Sequence, residues 1–309
     1  MTAAIGRFAP SPTSNLHLGN LRTALLTWLF AHDPGDDLDP GEMLLRIEDL
    51  DQQRVAAAPQ VASQQLADLT ALGLNWPQPV LRQSERLEIY ARAAAELDTY
   101  ECYCTRKEIA AASQAPHGNY RPYPGTCADL TPAERAERRA SRPPAIRVRA
   151  GGAQFTVHDF HAGQVSGLVD DFVIFRNDGI PAYNLAAVVD DGLSGVTQVT
   201  RGADLLDSSP RQGWLADQLG FVVPRYVHVG LVVNDKGERL AKRDGGYDLP
   251  TLAARGVSVH DVVAMLAESM GMPAASDAAD LLTKVRGTNW QHNPQIWQQW
   301  QVADLAAAL

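Results

Sequence analysis

RFAPSPTSNLHLGN, residues 7–20, carries the chain from a short apolar run into a long one through two prolines, a histidine and a glycine. The run before it, residues 5–9, reads as a buried strand. After it, Leu18, Leu21, Leu25, Trp28 and Leu29 recur at helical spacing, so a helix begins here and stops at His32-Asp33-Pro34-Gly35. Pro10 and Pro12 keep the crossing extended, and Ser14 or Asn15 is the expected cap. A helix start offers unpaired N–H groups and a partial positive charge, a setting that favours phosphate. Gly19 omits a Cβ where a phosphate or a base could come close, and His17 could donate to a phosphate oxygen. Taken alone, these features equally describe an ordinary capped turn.

Outward from this stretch, MLLRIEDLD (43–51) reads as a second strand with Glu48, Asp49 and Asp51 at its C-terminal end, and helices are expected over 61–72 and 85–97. Alternating strands and helices imply an α/β fold with a parallel sheet. Such sheets bind ligands at the carboxyl ends of their strands, which selects Arg7, Ser11, Glu48, Asp49 and Asp51. From residue 101 the texture changes: cysteines, the stretch HGNYRPYPGTC, a charged helix, and strands near 145–149, 155–160 and 172–175. This reads as an inserted α+β unit. The apolar run 185–189, ending in Asp190-Asp191, is expected to return the chain to the main sheet, and a helix over 211–219 and a strand over 226–233 complete it. RLAKR (239–243) follows in a glycine-rich loop, where Lys242 is a cation suited to a pyrophosphate leaving group or simply a solvated base. Beyond Asp248 the pattern is helical, and Trp290, Trp297 and Trp300 are expected in the core rather than on a base-stacking platform.

Of 309 residues, 45% are apolar and 20% charged, as in a soluble globular protein, and the net charge of -9 excludes a general nucleic-acid coater. The charge is uneven, since Arg135, Arg138, Arg139, Arg142, Arg147 and Arg149 cluster, either as a solvated helix or as a local basic patch. No run approaches the roughly 18–20 apolar residues of a membrane span, and no basic-then-apolar leader opens the chain. A cytoplasmic protein is expected, without membrane association, and as a monomer because no sustained heptad appears. The three cysteines, Cys102, Cys104 and Cys127, are odd in number within 26 residues, which disfavours a disulfide framework in such a compartment. They suit a tetrahedral metal site whose fourth ligand is His117, Tyr120 or Tyr123; generic zinc chemistry prefers the histidine.

In order along the chain, RFAPSPTSNLHLGN, RIEDLD, FRNDGIPAYNLAAVVDD, RGADLL and RLAKR resemble the catalytic core of class I glutamyl-tRNA synthetases over roughly the first 250 residues. HLGN stands at that family's HIGH signature and RLAKR at its KMSKS signature. The resemblance implies a Rossmann-like core that brings together ATP, with its Mg²⁺, and L-glutamate. It implies that His17 and Lys242 stabilise charge on the transferring phosphate, with Gly19 and Asn20 in the ATP site. It further implies that Arg7 and Arg201 take the glutamate side chain, Glu48 the α-ammonium, Tyr183 a wall with a hydroxyl, and Ser11 a hydrogen bond. For the cysteines it points to Tyr123 as fourth ligand of one structural Zn²⁺. Asn20 and Ala241 depart from the two signatures, at the last histidine and at the serine.

The chain stops at Leu309, short of the helical anticodon-binding region of the longer bacterial enzymes. In this, and in its Cys-x-Cys and Tyr-x-x-x-Cys, it resembles the glutamyl-queuosine tRNA(Asp) synthetase family. That resemblance implies transfer of glutamate to the queuosine base at the wobble position of tRNA(Asp), held by its anticodon stem-loop. The alternatives are a truncated enzyme charging the tRNA 3′ end, and a catalytically silent binding module. The expected organisation is a Rossmann-like first half (1–98), a zinc-containing insertion (99–187), a second half with the RLAKR loop (188–248) and a helical C-terminal region (249–309).

Overall fold

The computed structural model describes residues 2–35, 38–105, 107–109, 122–240 and 246–302. Strand β1 (Ala3–Phe8) leads into helix α1 (Leu18–His32), then β2 (Asp39–Ile47), the short α2 (Gln52–Ala56), α3 (Val61–Ala71), β3 (Leu81–Arg82) and α4 (Leu87–Ala95). β1 and β2 pair in parallel, as do β2 and β3. Farther on, β9 (Gln198–Gly202) pairs in parallel with β10 (Arg225–Val229). A bond of 3.0 Å from the Thr197 N–H to the Ile5 carbonyl sets β9 beside β1. The resulting order β3-β2-β1-β9-β10 is doubly wound, and its direction reverses between β1 and β9, the crevice where such sheets take ligands.

Alternation along these strands sorts the side chains. Phe8, Met43, Leu45, Val227 and Val229 face α1 and join its core. The same cluster takes in Leu252, Val262, Leu266 and Leu281 from α8 (Leu249–Ala254), α9 (Val259–Ser269) and α10 (Ala278–Val285). Trp290 is buried there, with its Nε1–H donating to Asp33 at 2.8 Å, while Trp297 and Trp300 pack partly exposed against it. The opposite face carries Arg7, Arg46, Glu48, Arg201 and His228.

Strands β4 (Thr99–Cys102), β5 (Ala145–Val148) and β8 (Val173–Phe175) form an antiparallel sheet of their own, reached through helix α5 (Pro132–Ser141). The hairpin of β6 (Ala153–Asp159) and β7 (Gly163–Val169) joins the main sheet instead, through Asp159 beside Tyr226 of β10.

Three local expectations are corrected. The cap of α1 is His17 rather than Ser14 or Asn15. The run 185–189 is part of a helix, α6 (Tyr183–Leu193), whose Leu185 through Asp191 are all buried; a helix buried on every side shows no periodicity by which to tell it from a strand. The strand expected over 226–233 breaks after Val229. A Cβ at Gly230 would lie 1.8 Å from the Gln298 carbonyl oxygen, and the chain resumes as β11 (Val232–Val233), paired with β12 (Trp300–Gln301). Helix α7 (Ser209–Gln218) matches its expected place. No described helix is long and apolar enough to cross a membrane.

Candidate active site

At the β1/β9 crevice lies a cavity of about 520 Å³ lined by, among others, Arg7, Ser11, His17, Gly19, Asn20, Glu48, Tyr183 and Arg201. The residues that the resemblance assigns to ATP and glutamate are therefore in one place, apart from Lys242, which lies outside the described residues, as do Ala241, His117 and Tyr120. Asp49 and Asp51 are not part of the lining. Asp49 is spent on the Ser84 N–H and hydroxyl, both at 2.8 Å, and Asp51 caps α2.

His17 Nδ1 accepts the Gly19 N–H at 3.1 Å, and the Asn20 side chain accepts the His17 N–H at 3.2 Å, closing a capping box at the mouth of α1. This fixes why residue 19 is glycine: a Cβ there would sit 3.0 Å from the His17 ring and 3.3 Å from Val232. The turn before it is pinned from α3, where the Gln65 amide donates to the carbonyls of Ser11 (3.0 Å) and Ser14 (2.8 Å). Past the RLAKR loop, the Tyr247 carbonyl accepts the Leu18 N–H at 3.0 Å, and Asn15 donates to Asp248 at 3.3 Å. The chain that follows that loop is thus tied to the start of α1 and to the turn before it.

Behind the cavity is a buried charge array. Arg7 Nε donates to both oxygens of Asp191, at 3.2 and 3.3 Å. Its two terminal nitrogens have no partner among the described residues, and Arg7 lines the cavity, so a planar fork is left for a carboxylate. Arg46 donates to Asp191 at 2.5 Å and to Glu48 at 3.1 Å. Asp190 in turn takes Arg86 at 2.7 Å, Tyr90 at 2.8 Å and Gln83 at 2.9 Å. The two carboxylates beside Arg46 respond differently. Burial pushes the Glu48 carboxyl above its ordinary value despite Arg46 and Arg7. Burial acts on Asp191 too, but two arginines bonded to it hold it below. Glu48, with one donor, is the carboxylate that gains most from a bound ammonium.

Arg201 is more fully engaged. Its Nε donates to His228 Nε2 at 3.0 Å, and its other nitrogens bond Gln212 (2.5 Å), Ser209 (2.8 Å) and the Leu205 carbonyl (3.2 Å). An accepting Nε2 places the His228 proton on Nδ1, 2.8 Å from Asp159. Burial, with Arg201 adjacent, keeps this imidazole below its usual pKa. Tyr183, first in α6, is 41% exposed at the rim.

Arg46, the Asp190-Asp191 pair, His228 and Gln65 were not singled out from sequence. Arg46 lay inside the quoted RIEDLD, two positions before Glu48 and so on the same strand face, a signal that alternation supplies. The acidic pair closing an apolar run was a second signal.

In the insertion, the sulfurs of Cys102, Cys104 and Cys127 lie within 4.8 Å of one another. The Tyr123 hydroxyl is 3.5 Å from Cys102 Sγ and 3.8 Å from Cys104 Sγ, and Cys104 Sγ is 3.5 Å from Cys127 Sγ. These last three separations are close to the edges, about 3.5–3.8 Å, of a tetrahedron of zinc–sulfur and zinc–oxygen bonds. Burial drives the Cys104 thiol up to about 12. The six clustered arginines are not a free basic patch. Arg147 stacks 3.6 Å from the Tyr123 ring centre and donates to the Asp171 carbonyl, Arg138 reaches Cys127 Sγ at 3.8 Å, and Arg139 clasps Glu101. Arg142 and Arg149 bond the carbonyls of Tyr103 and Ala128, and Arg135 that of Leu130. They staple the cysteine-bearing loops to the sheet.

Residues 4–299 match the family model described as tRNA synthetases class I (E and Q), catalytic domain. The chain is 53% identical over 283 residues to the glutamyl-Q tRNA(Asp) synthetase of Cutibacterium acnes, covering 91% of this chain and 80% of that one. It is 54% identical over 273 residues to that of Nocardia farcinica, covering 87% and 85%. Among solved structures, glutamate-tRNA synthetase from Elizabethkingia anophelis superposes with a TM-score of 0.77 at 26% identity, over 99% of this chain and 69% of that one. The chain therefore belongs to the class I tRNA synthetases of the E and Q type, within the glutamyl-Q tRNA(Asp) synthetase family, and is an aminoacyl-tRNA synthetase-like ligase.

Proposed function

We propose that the protein activates L-glutamate with ATP and transfers it to the queuosine base at the wobble position of tRNA(Asp). The observation that carries this is the pairing, in one cavity, of an arginine fork with open valences (Arg7) and a half-buried carboxylate short of donors (Glu48). An amino acid with a second carboxylate satisfies both. Arg7, with Arg201 supporting the wall from behind its own bonds, takes the side-chain carboxylate; Glu48 takes the α-ammonium; Ser11 and Tyr183 bound the ligand. The α-carboxylate is then left facing the mouth of α1, where His17, Gly19 and Asn20 meet ATP.

One carboxylate oxygen attacks the α-phosphorus, the bond to the bridging oxygen breaks, and pyrophosphate leaves with the electron pair. Charge gathers on phosphate oxygens, so fixed cations and N–H donors matter more than a base. His17 and Lys242 supply that stabilisation, and Mg²⁺ accompanies ATP as its counter-ion. In the second step a queuosine hydroxyl oxygen attacks the acyl carbon, the bond from that carbon to the phosphate oxygen breaks, AMP leaves with the electron pair, and the hydroxyl proton passes to solvent or to the departing phosphate. In the insertion, Cys102, Cys104, Tyr123 and Cys127 hold one Zn²⁺ in a closed, bracing role. The protein works as a monomer in the cytoplasm, on the anticodon stem-loop.

Glutamate-dependent ATP–pyrophosphate exchange, run with and without tRNA, tests the first step. Exchange without tRNA, followed by transfer of labelled glutamate only to queuosine-containing tRNA(Asp), is the expected result. Label appearing on the 3′ end of tRNA(Glu) would replace this reading with 3′-end charging.

A further inference from the structure

We infer that Arg46 is a positioning residue for glutamate binding: it ties the carboxylate-binding arginine and the ammonium-binding carboxylate into one fixed array. The inference rests on the roles given to Arg7 and Glu48 above.

Arg46 is 3% exposed and does not line the cavity, so it acts only through its neighbours. It lies near the end of β2 on the face that carries Glu48 two residues on. Its two terminal nitrogens divide between Glu48, at 3.1 Å, and Asp191, at 2.5 Å, and Asp191 holds Arg7 Nε from the other side. A continuous line Glu48–Arg46–Asp191–Arg7 thus runs between the two substrate-binding groups, joining β2, α6 and β1. Arg46 Nε is also 3.8 Å from Asp190, which Arg86, Gln83 and Tyr90 anchor in the wall behind. Three arginines and three carboxylates make up the array, so it is neutral before ligand arrives. Without Arg46, Glu48 and Asp191 share Arg7 alone. Its open nitrogens are then drawn inward, and the fork meant for the ligand is consumed.

The test is ATP–pyrophosphate exchange with glutamate and ATP varied in turn, on wild type, Arg46→Gln and Arg46→Lys, beside thermal unfolding of each. Arg46→Gln is expected to raise the glutamate KM by about 10–100-fold while the ATP KM stays within about twofold. Arg46→Lys keeps the charge but cannot fork between two carboxylates, so its glutamate KM should fall between the two. The groups facing Glu48 are Arg46 on β2, Arg7 on β1 and Asp191 on α6. With Arg46 gone, the glutamate KM should therefore climb more steeply as pH falls, a readout that a purely structural role would not move. Equal changes in both KM values, or none, overturn the inference. If Arg46→Gln does not fold, Arg46→Lys decides, and a wild-type glutamate KM in that variant overturns it. Wild-type exchange that is indifferent to glutamate would instead remove the roles of Arg7 and Glu48 themselves.

Discussion

In the sheet-face array, charges from four distant parts of the chain, residues 7, 46–48, 86 and 190–191, cancel one another, three arginines against three carboxylates. In the cysteine cluster, three thiols and a phenol drawn from residues 102–127 face each other, with Arg138 and Arg147 only at the margin. The first set pairs its charges without ligand and leaves the terminal nitrogens of Arg7 open toward the cavity. In the second, the crowded thiols keep their protons or would yield them to an ion, with the Arg138 guanidinium 3.8 Å from Cys127 Sγ as a neighbouring cation. The array that leaves two arginine nitrogens open to a cavity is suited to a substrate, and the closed group of sulfurs could hold an ion as a brace.

The largest expected effect breaks the brace. Structural zinc contributes on the order of 10 kcal/mol to the modules it folds. Cys127→Ala should therefore reduce bound zinc, measured by elemental analysis, from one ion per chain to none. Limited proteolysis should then cut within the insertion, while the glutamate KM moves only slightly. Retention of a full zinc equivalent would place the ion elsewhere.

Next is His17→Ala. Losing a group that stabilises transferring phosphate should cost about 10²–10³-fold in exchange rate. Losing a helix cap should cost only about 1 kcal/mol of stability. His17 serves as both, and the ratio of the two losses tells them apart. An exchange rate that falls only as far as the folded fraction does would leave His17 a cap and nothing more.

A smaller effect sharpens the substrate side. Burial, the main influence, holds Glu48 above its ordinary value, so the folded protein binds this proton more tightly than the unfolded chain. Its contribution to stability is present below the unfolded pKa and is lost as pH rises through the folded one. Glutamate's ammonium offsets that loss. The stabilisation that added glutamate brings to thermal unfolding should therefore be larger at about pH 8 than at about pH 5. A gap independent of pH would take Glu48 out of ammonium binding.

The contrast also explains what could be read from sequence. The cavity residues sit at strand ends and a helix start, positions that short ordered motifs and the carboxyl-end rule reveal, and those described were found together. Arg46 and the Asp190-Asp191 pair escaped because their partners lie 145 residues apart, as from Arg46 to Asp191, and no local pattern records such pairing. The cap at His17 was missed because an imidazole accepting its own helix's N–H is a rarer solution than Ser or Asn. Helix α6 was missed because burial all round erases periodicity. The cysteines were legible from spacing alone; the choice of fourth ligand was not, since spacing leaves Tyr123 level with His117 and Tyr120.

Tyr123→Phe decides that last choice and carries the smallest expected change. The variant keeps the ring under Arg147 and the packing on Tyr100 and Leu130, and removes only the oxygen. As a ligand that oxygen must be deprotonated, although burial holds the phenol well above its usual value in the absence of an ion. The Cys127 N–H donated to it at 2.8 Å and the guanidinium over its ring both favour the phenolate that a metal would select. Losing one of four ligands should weaken zinc about tenfold or more in chelator competition, while the three thiolates retain the ion at ordinary concentrations and the melting temperature shifts by a few degrees at most. Unchanged affinity would make Tyr123 a packing residue beside a site completed by His117 or Tyr120.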